Sequence, residues 1–454
     1  MEKIVRIVGG GLAGAEAAYQ LARRGVRADL HEMRPYRMTE AHATGDLGEL
    51  VCSNSLRSSL ITAPAGVLKE EMRRLDSLVI RVAESNRVPA GSALAVDRES
   101  FARALTRAVE ALPKVRIVRQ EVREILPGLV IVATGPLTST ALSQHLATLL
   151  GSEHLYFHDA ISPIVTAESI DMTVAFRASR YGRGDNDYLN LPLTRDEYYR
   201  FIDALLTAKR VPTYSFERFV PFEGCMPIEE MADRGKETLA FGPMRAVGLI
   251  EPRSGIRPYA VVQLRQENQE ATLYNLVGFQ TKMTHPEQRR VFAMIPGLEK
   301  AEFVRLGSLH RNTFINSPQN LLPTLQWRQR LDLFFAGQMT GVEGYIESAA
   351  TGLLAGINAA RLIAEKPPVV PPPTTALGAL LRYITDPARK TFQPMNVNFG
   401  LLPTLSEPFR KKAKKEMMAQ RAVSDMEAWV RNTEGVEAFV PLDAAPNAHS
   451  AMAR

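Results

Sequence analysis

Residues 4–14 read Ile4-Val5-Arg6-Ile7-Val8-Gly9-Gly10-Gly11-Leu12-Ala13-Gly14; an alanine-rich stretch runs on to Ala22, and after Gly25 a second short run ends at Glu32. Strand, glycine turn, helix, strand and terminal acid in that order are the full context of a dinucleotide-binding fingerprint. Gly9 permits the tight turn out of the strand, Gly11 lets backbone approach a pyrophosphate, and Gly14 lets helix and strand pack closely. Gly10, Leu12 and Ala13 complete the helix start, where unpaired N–H groups and the helix dipole favour phosphate. Glu32 is the expected acceptor for a ribose hydroxyl. The plain alternative is a glycine-rich turn before an ordinary helix, which accounts for neither the second strand nor its acid.

Outward from this segment, 454 residues suffice for two or three domains. At 45% hydrophobic and 23% charged, the composition is that of a globular chain and excludes a disordered one. No apolar stretch reaches the roughly 18 residues of a membrane span. Met1-Glu2-Lys3 leads straight into the first strand, so no signal peptide, no membrane partner and a cytoplasmic location are expected. The net charge of +6 permits a polyanionic partner without requiring one. Arg410, Lys411, Lys412, Lys414 and Lys415 crowd one segment, readable as a solvated helix face or as a landing site for RNA phosphates.

Residues 1–155 are expected to form the first part of the nucleotide-binding domain. Helical patterns fall near 67–75 and 98–112, strands near 115–118 and 129–132, and a loop-like stretch runs from about Pro35 to Ala65. Thr134 and Gly135 end the last of these strands in a turn that lets a loop pass close to a cofactor. Residues 156–323 alternate strands, helices and turn clusters, and are expected to be an inserted domain. Residues 324–430 return to the first pattern, with Leu333-Phe334-Phe335-Ala336-Gly337 followed by a small-residue helix from about Glu347 to Ala364. Residues 431–454 read as a mobile tail. The predicted fold class is thus α/β, a Rossmann-like domain completed by distant sequence around a mixed α+β insertion.

The two cysteines, Cys52 and Cys225, are far apart in sequence, so neither belongs to a Cys-x-x-Cys pair and no metal site is expected. Each lies in a polar, glycine-containing segment, and reads either as a small buried hydrophobe or as a reactive thiol activated by a nearby positive charge. His310 and Arg311 stand in His310-Arg311-Asn312-Thr313-Phe314-Ile315-Asn316-Ser317-Pro318, and Asn398 in a segment rich in amides and aromatics, Phe392 to Gly400. Gly341, Gly344 and Tyr345 precede the late helix and suit backbone approach to a flavin.

With these segments assembled, the chain resembles the bacterial folate- and flavin-dependent tRNA (uracil-5-)-methyltransferases. The match rests on Val8 to Glu32, Leu50 to Ser58, Phe222 to Glu229, Pro258 to Asn268, Tyr274 to Lys282, His310 to Pro318, Ala336 to Gly356 and Phe392 to Leu402, across residues 3–430. The resemblance implies a glutathione-reductase-like fold binding FAD. Its implied activity moves a one-carbon unit from 5,10-methylenetetrahydrofolate, by way of reduced FAD, to carbon 5 of the T-loop uridine of tRNA. NADPH or NADH would be the reductant, folate and tRNA the binding partners, with no obligatory protein partner. Cys225 looks like the nucleophile toward the base; Cys52 looks like the partner near the flavin that caps its adduct or serves as base. His310 stands where the family stacks folate, and Arg311, Lys411 and Lys412 are candidate substrate contacts. Gln338 follows Gly337 where most flavoproteins carry aspartate, so an amide would face the ribityl chain. The rival readings are a wobble-uridine tRNA-modifying flavoprotein, a flavin-dependent oxidoreductase, and a non-catalytic tRNA-binding protein.

Overall fold

The computed structural model describes residues 3–125, 127–151, 155–182, 185–211, 226–389, 392–405 and 413–436, with backbone alone for 155–159 and 309–312. Cys225, Lys411, Lys412 and the 437–454 part of the tail lie outside the described residues.

Strand Ile4–Val8 is central in a six-stranded sheet ordered 326–327, 330–335, 130–132, 4–8, 27–32, 115–119. Its neighbours Arg27–Glu32 and Val130–Val132 both run parallel to it, and Val115–Arg119 and Arg330–Phe335 extend the parallel pairing outward. Only the two-residue strand Gln326–Trp327 is antiparallel. The chain leaves Ile4–Val8 for one neighbour and reaches the other more than ninety residues later. A crevice therefore opens at the carboxyl ends of these strands, where α/β sheets bind ligands. Val5, Ile7, Leu30, Ile131 and Phe334 are fully buried, as strands covered on both faces require.

Helix Leu12–Ala22 lies against the late helix Tyr345–Ile363 at glycine distance. A Cβ on Gly352 would sit 2.1 Å from the Ala13 carbonyl oxygen, and one on Gly356 would sit 2.8 Å from that of Ala17. The small-residue composition of both helices is thus a packing requirement. It fastens sequence beyond residue 330 onto the first fifty residues.

A second six-stranded, antiparallel sheet comprises Phe176–Arg177, Tyr188–Leu193, Ala260–Gln266, Leu273–Leu276, Ile164–Thr166 and Phe303–Arg305, in that spatial order. Helix Arg195–Thr207 starts with a Thr194/Glu197 capping box and buries Tyr198, Phe201, Ile202 and Leu205 in a core shared with Phe279 and Phe292. The strands Leu155–Ala160 and Leu309–Phe314, which lead into and out of this unit, pair with each other. Within the stretch read as loop, Ser55–Ser58 is a short strand pairing with Ala93–Val96. Alternation over four residues is too brief to stand out in sequence. Helix Lys414–Asn432 buries Met418, Ala422 and Met426, and its Glu427 pairs with Arg74 of helix Pro64–Arg74 at 2.6 Å. Lys414 and Lys415 stay exposed at its start.

Candidate active site

The first turn of helix Leu12–Ala22 faces the crevice with no side-chain cap on Gly11. Gly9 has φ +105°, and a Cβ there would meet the Ala133 carbonyl at 2.5 Å; at Gly14 it would meet the Gly9 carbonyl at 1.8 Å. A Cβ on Gly11, by contrast, would find nothing within 4 Å. Two glycines are demanded by packing, and the third leaves open space before unpaired N–H groups, as a pyrophosphate needs. Leu12, Ala13, Thr134, Gly135, Gly337 and Gln338 line the same crevice. Glu32 closes it. Its Oε2 accepts from the Gly10 N–H at 2.9 Å, and its Oε1 accepts from the Arg34 N–H and Nε at 2.9 and 3.0 Å. Burial would raise the Glu32 pKa, but the Arg34 charge and these donors hold it below the usual carboxylate range. An ionised acceptor is what a ribose diol requires. The cradle fits a dinucleotide cofactor of the FAD type.

Past Pro136, Gln338 and Tyr345 the crevice continues into a cavity of about 270 Å³ between the two sheets' units, lined by Cys52, Arg57, Arg265, Gln280 and Glu347 among others. Cys52 is half-buried and unbridged. Tyr345, first residue of the late helix, holds it: the phenol oxygen accepts from the Cys52 N–H at 2.9 Å and the Ser53 N–H at 3.2 Å, and lies 3.1 Å from Cys52 Sγ. With two N–H groups occupying the oxygen's lone pairs, its own proton is directed at the sulfur. Burial, then the Cys52 charge, push the Tyr345 phenol well above the ordinary tyrosine pKa, so it remains a donor.

The Cys52 loop is clamped from the second unit. Arg265 donates to Asn54 Oδ1 and Ser53 Oγ, each at 2.9 Å. Fully buried Asn54 donates to the carbonyls of Val96 and Gln266 at 2.9 and 3.0 Å. Arg98, at the start of helix Arg98–Glu110, ion-pairs with Glu267 and donates to the carbonyls of Leu50 and Val51. Asn275 donates to Glu267 Oε2 at 2.6 Å. Three guanidinium groups, Arg98, Arg265 and Arg305, are close enough that each feels a Cys52 charge. Burial opposes the charge on all three. For Arg98 the Glu267 carboxylate reverses this and raises its pKa, whereas Arg265 and Arg305 fall below the usual arginine range and still carry a proton near neutrality. The positive charges of these three groups act toward the sulfur of Cys52. Beneath the cavity floor, Lys69 donates to the carbonyls of Ser58 and Arg57 at 2.8 and 3.3 Å, and burial lowers its pKa to about 7.

The structure thus gathers Gly9, Gly11, Leu12, Ala13, Glu32, Thr134, Gly135, Gly337, Gln338, Gly344, Tyr345 and Cys52 around one continuous crevice, with Gly10 and Gly14 behind it. Gln338 gives its amide to Glu343 at 2.7 Å. Gly341 and Asn398 are not part of the lining. A Cβ on Gly341 would meet the Phe392 ring at 2.3 Å, and Asn398 spends its side chain on the Asn396 carbonyl and the Gly400 N–H. His310 and Arg311 lie on strand Leu309–Phe314, whose Thr313 N–H donates to the Pro136 carbonyl in the crevice wall at 3.1 Å. Arg98, Asn54, Arg265, Glu267, Asn275 and Arg57 were not singled out from sequence: Asn54 and Arg57 lie beside Cys52 in the Leu50–Ser58 segment, and no local spacing joins that segment to Arg98, Arg265, Glu267 and Asn275. Among the described residues, no group of three or more His, Cys, Asp or Glu could hold a metal ion, and no helix is long and apolar enough to cross a membrane.

A family profile described as glucose inhibited division protein A matches residues 4–367. The chain is 57% identical over 432 residues to the methylenetetrahydrofolate--tRNA-(uracil-5-)-methyltransferase TrmFO of Geobacter sulfurreducens, covering 95% of this chain and 99% of that protein. It is 58% identical to the protein of the same name from Geotalea uraniireducens, over 93% of this chain and 98% of the relative. Among solved structures, Aquifex aeolicus GidA superimposes with a TM-score of 0.68 at 17% identity, over 96% of this chain and 77% of that one. At that identity the likeness is one of fold.

Proposed function

The chain belongs to the methylenetetrahydrofolate--tRNA-(uracil-5-)-methyltransferase family, and on that premise we propose its reaction in detail. A one-carbon unit passes from 5,10-methylenetetrahydrofolate to carbon 5 of the T-loop uridine of tRNA, giving 5-methyluridine. FAD is the resident cofactor, held by Gly9 to Gly14, Glu32, Thr134, Gly135, Gly337 and Gln338. When bound, and reduced by NAD(P)H, it supplies the two electrons that bring a methylene unit to the methyl level. A tRNA substrate makes the cytoplasm the working compartment, and the scheme calls for no protein partner.

Carbon 5 of uracil is a poor nucleophile until a thiolate adds to carbon 6 and sends the electron pair toward the carbon 4 carbonyl. Cys225 is assigned that addition. Carbon 5 then takes the one-carbon unit, its proton must leave, and the carbon–sulfur bond breaks to restore the ring. Cys52 is assigned the proton. The observation that carries this assignment is its sulfur, 3.1 Å from a phenol that donates to it and within reach of the charges of Arg98, Arg265 and Arg305. Those charges favour the thiolate needed to accept a proton, and the Tyr345 donor can re-form its bond after each turnover. His310 is assigned to stacking on folate, with Arg311 beside it.

The test is a reconstituted reaction of flavin-loaded protein, NAD(P)H, unmodified tRNA transcript and methylenetetrahydrofolate carrying a labelled methylene. Label is expected in T-loop 5-methyluridine, and is expected to vanish in Cys52→Ala and Cys225→Ala with flavin retained. Label at the wobble position, or none with the wild type, would overturn the assignment.

A further inference from the structure

Residues 241–257 form a lobe on the outside of the second unit. Its backbone is fixed: Arg245 bridges to Ala260, the Val261 N–H donates to the Met244 carbonyl at 2.9 Å, and the Gly255 N–H donates to the Glu251 carbonyl at 2.9 Å. Underneath, Ala246, Leu249 and Val261 are buried together against Ala178. The outer face is the reverse of what a solvated lobe presents. Phe241 is 78% exposed, Ile256 67%, Ile250 57% and Tyr181 54%. Tyr181 holds a left-handed φ of 59°, a strained conformation for a bulky residue, and lies over Gly248, where a Cβ would come within 2.9 Å of its ring. The Tyr181 ring is displayed at a cost.

Arg245 and Arg257 are exposed on the same lobe, and Arg180 donates to the Arg245 carbonyl at 2.6 Å while its Nε has no partner. None of the three is ion-paired among the described residues. The lobe's one carboxylate, Glu251, is taken by the Arg253 guanidinium and by the N–H groups of Arg253 and Ser254. Burial and then the charge of Arg245 lower the Arg180 pKa, so like charges stand together with no ion-pair partner among the described residues. Exposed rings beside uncompensated guanidinium groups suit stacking on bases and contact with phosphates at once. A second copy of the chain suits the face poorly, because a two-fold contact would set arginine against arginine. The lobe is also close to the chemistry: Pro243 packs where a Cβ on Gly278 would stand, at 2.7 Å, and Gly278 lines the Cys52 cavity.

We propose that this face docks the tRNA, with Phe241 and Tyr181 stacking on bases and Arg180, Arg245 and Arg257 taking phosphates, so that the target uridine is presented to the Cys52 cavity. The inference rests on the tRNA-modifying reading above. Its test uses the flavin-loaded full chain and a fluorescent, unmodified tRNA transcript, titrated across a range of potassium chloride concentrations. Arg245→Gln/Arg257→Gln is expected to weaken binding at least about tenfold and to reduce the slope of log affinity against log salt by about two. Phe241→Ala is expected to weaken binding on the order of tenfold with the slope unchanged. Flavin reduction by NAD(P)H should be the same in all variants, which separates docking from damage to the cofactor site. Wild-type protein that binds tRNA, with variants that match it in affinity and slope, would overturn the docking face alone. Variants that lose a self-associated state while tRNA affinity is unchanged would overturn it in favour of a protein interface. Wild-type protein that binds no tRNA would overturn the functional reading and this one with it.

Discussion

Replacing Tyr345 with phenylalanine deletes one oxygen and keeps the ring, so it tests the arrangement around Cys52 at a single atom. That oxygen accepts from the N–H groups of Cys52 and Ser53 at 2.9 and 3.2 Å and faces Cys52 Sγ at 3.1 Å. In Tyr345→Phe both donors are left without an acceptor in a partly buried loop. A buried donor left unsatisfied costs about 1–3 kcal/mol, so the pair costs about 2–6 kcal/mol. At about 1.4 kcal/mol per factor of ten, the local opening equilibrium of residues 50–54 should rise at least about thirtyfold. The assay is amide hydrogen exchange of the peptide covering this loop, read by mass spectrometry, with the central strand Ile4–Val8 as an internal reference. Exchange at residues 52 and 53 is expected to accelerate, and carbon 5 proton release is expected to slow while flavin content is retained. Unchanged protection of these two amides would refute the claim that the phenol holds the loop, and with it the argument for a directed proton on sulfur.

Other consequences can be checked as directly. Gly352→Ala forces a methyl to 2.1 Å from the Ala13 carbonyl, so it should lower the melting temperature and the bound flavin together; an unaffected melting curve would mean the helix contact is looser than drawn. Gly11→Ala meets nothing within 4 Å, so it should spare the melting curve of flavin-free protein and cost flavin affinity alone, read by titration of the apoprotein. Burial, with the Arg34 charge next, lowers the His42 pKa to about 4 from 6.5. Since the folded pKa lies below the unfolded one, His42 costs no stability above about pH 6.5 and removes stability progressively as pH falls toward 4. His42→Gln should flatten that acid limb in denaturant titrations at several pH values, and an unchanged limb would assign acid sensitivity elsewhere. Glu267→Leu strands the buried Arg98 charge and should destabilise the protein by about 3–5 kcal/mol. Arg98→Met/Glu267→Leu should recover part of that loss, and strict additivity would refute a direct pair.

The fingerprint was legible because each of its demands is local. Gly9, Gly11 and Gly14 are separated by two and three residues, and the turn they serve is built from those residues and the strand beside them. The later strand and helix, Arg330–Phe335 and Tyr345–Ile363, were legible for the same reason, each being a periodic segment with its own glycine turn. For Gly341 and Asn398 the structure shows local partners, the Phe392 ring and a turn at Gly400, which sequence alone does not reveal because glycines and amides near a flavin motif look alike whatever they contact. Cys52 was suspect in sequence only by its polar surroundings, and nothing within ten residues of it announces Arg265 or Tyr345.

By itself, then, the sequence determined a dinucleotide-binding α/β domain, interrupted and then resumed, because backbone conformation and apolar periodicity are written residue by residue. Only the tertiary structure decided what surrounds the sulfur of Cys52. Tyr345, Arg98 and Arg265 come from separate helices and a second sheet, 293, 46 and 213 residues away in the chain, and no spacing rule links them. Their meeting is set by how two units pack over buried charge, a property of the assembled fold and of no single segment.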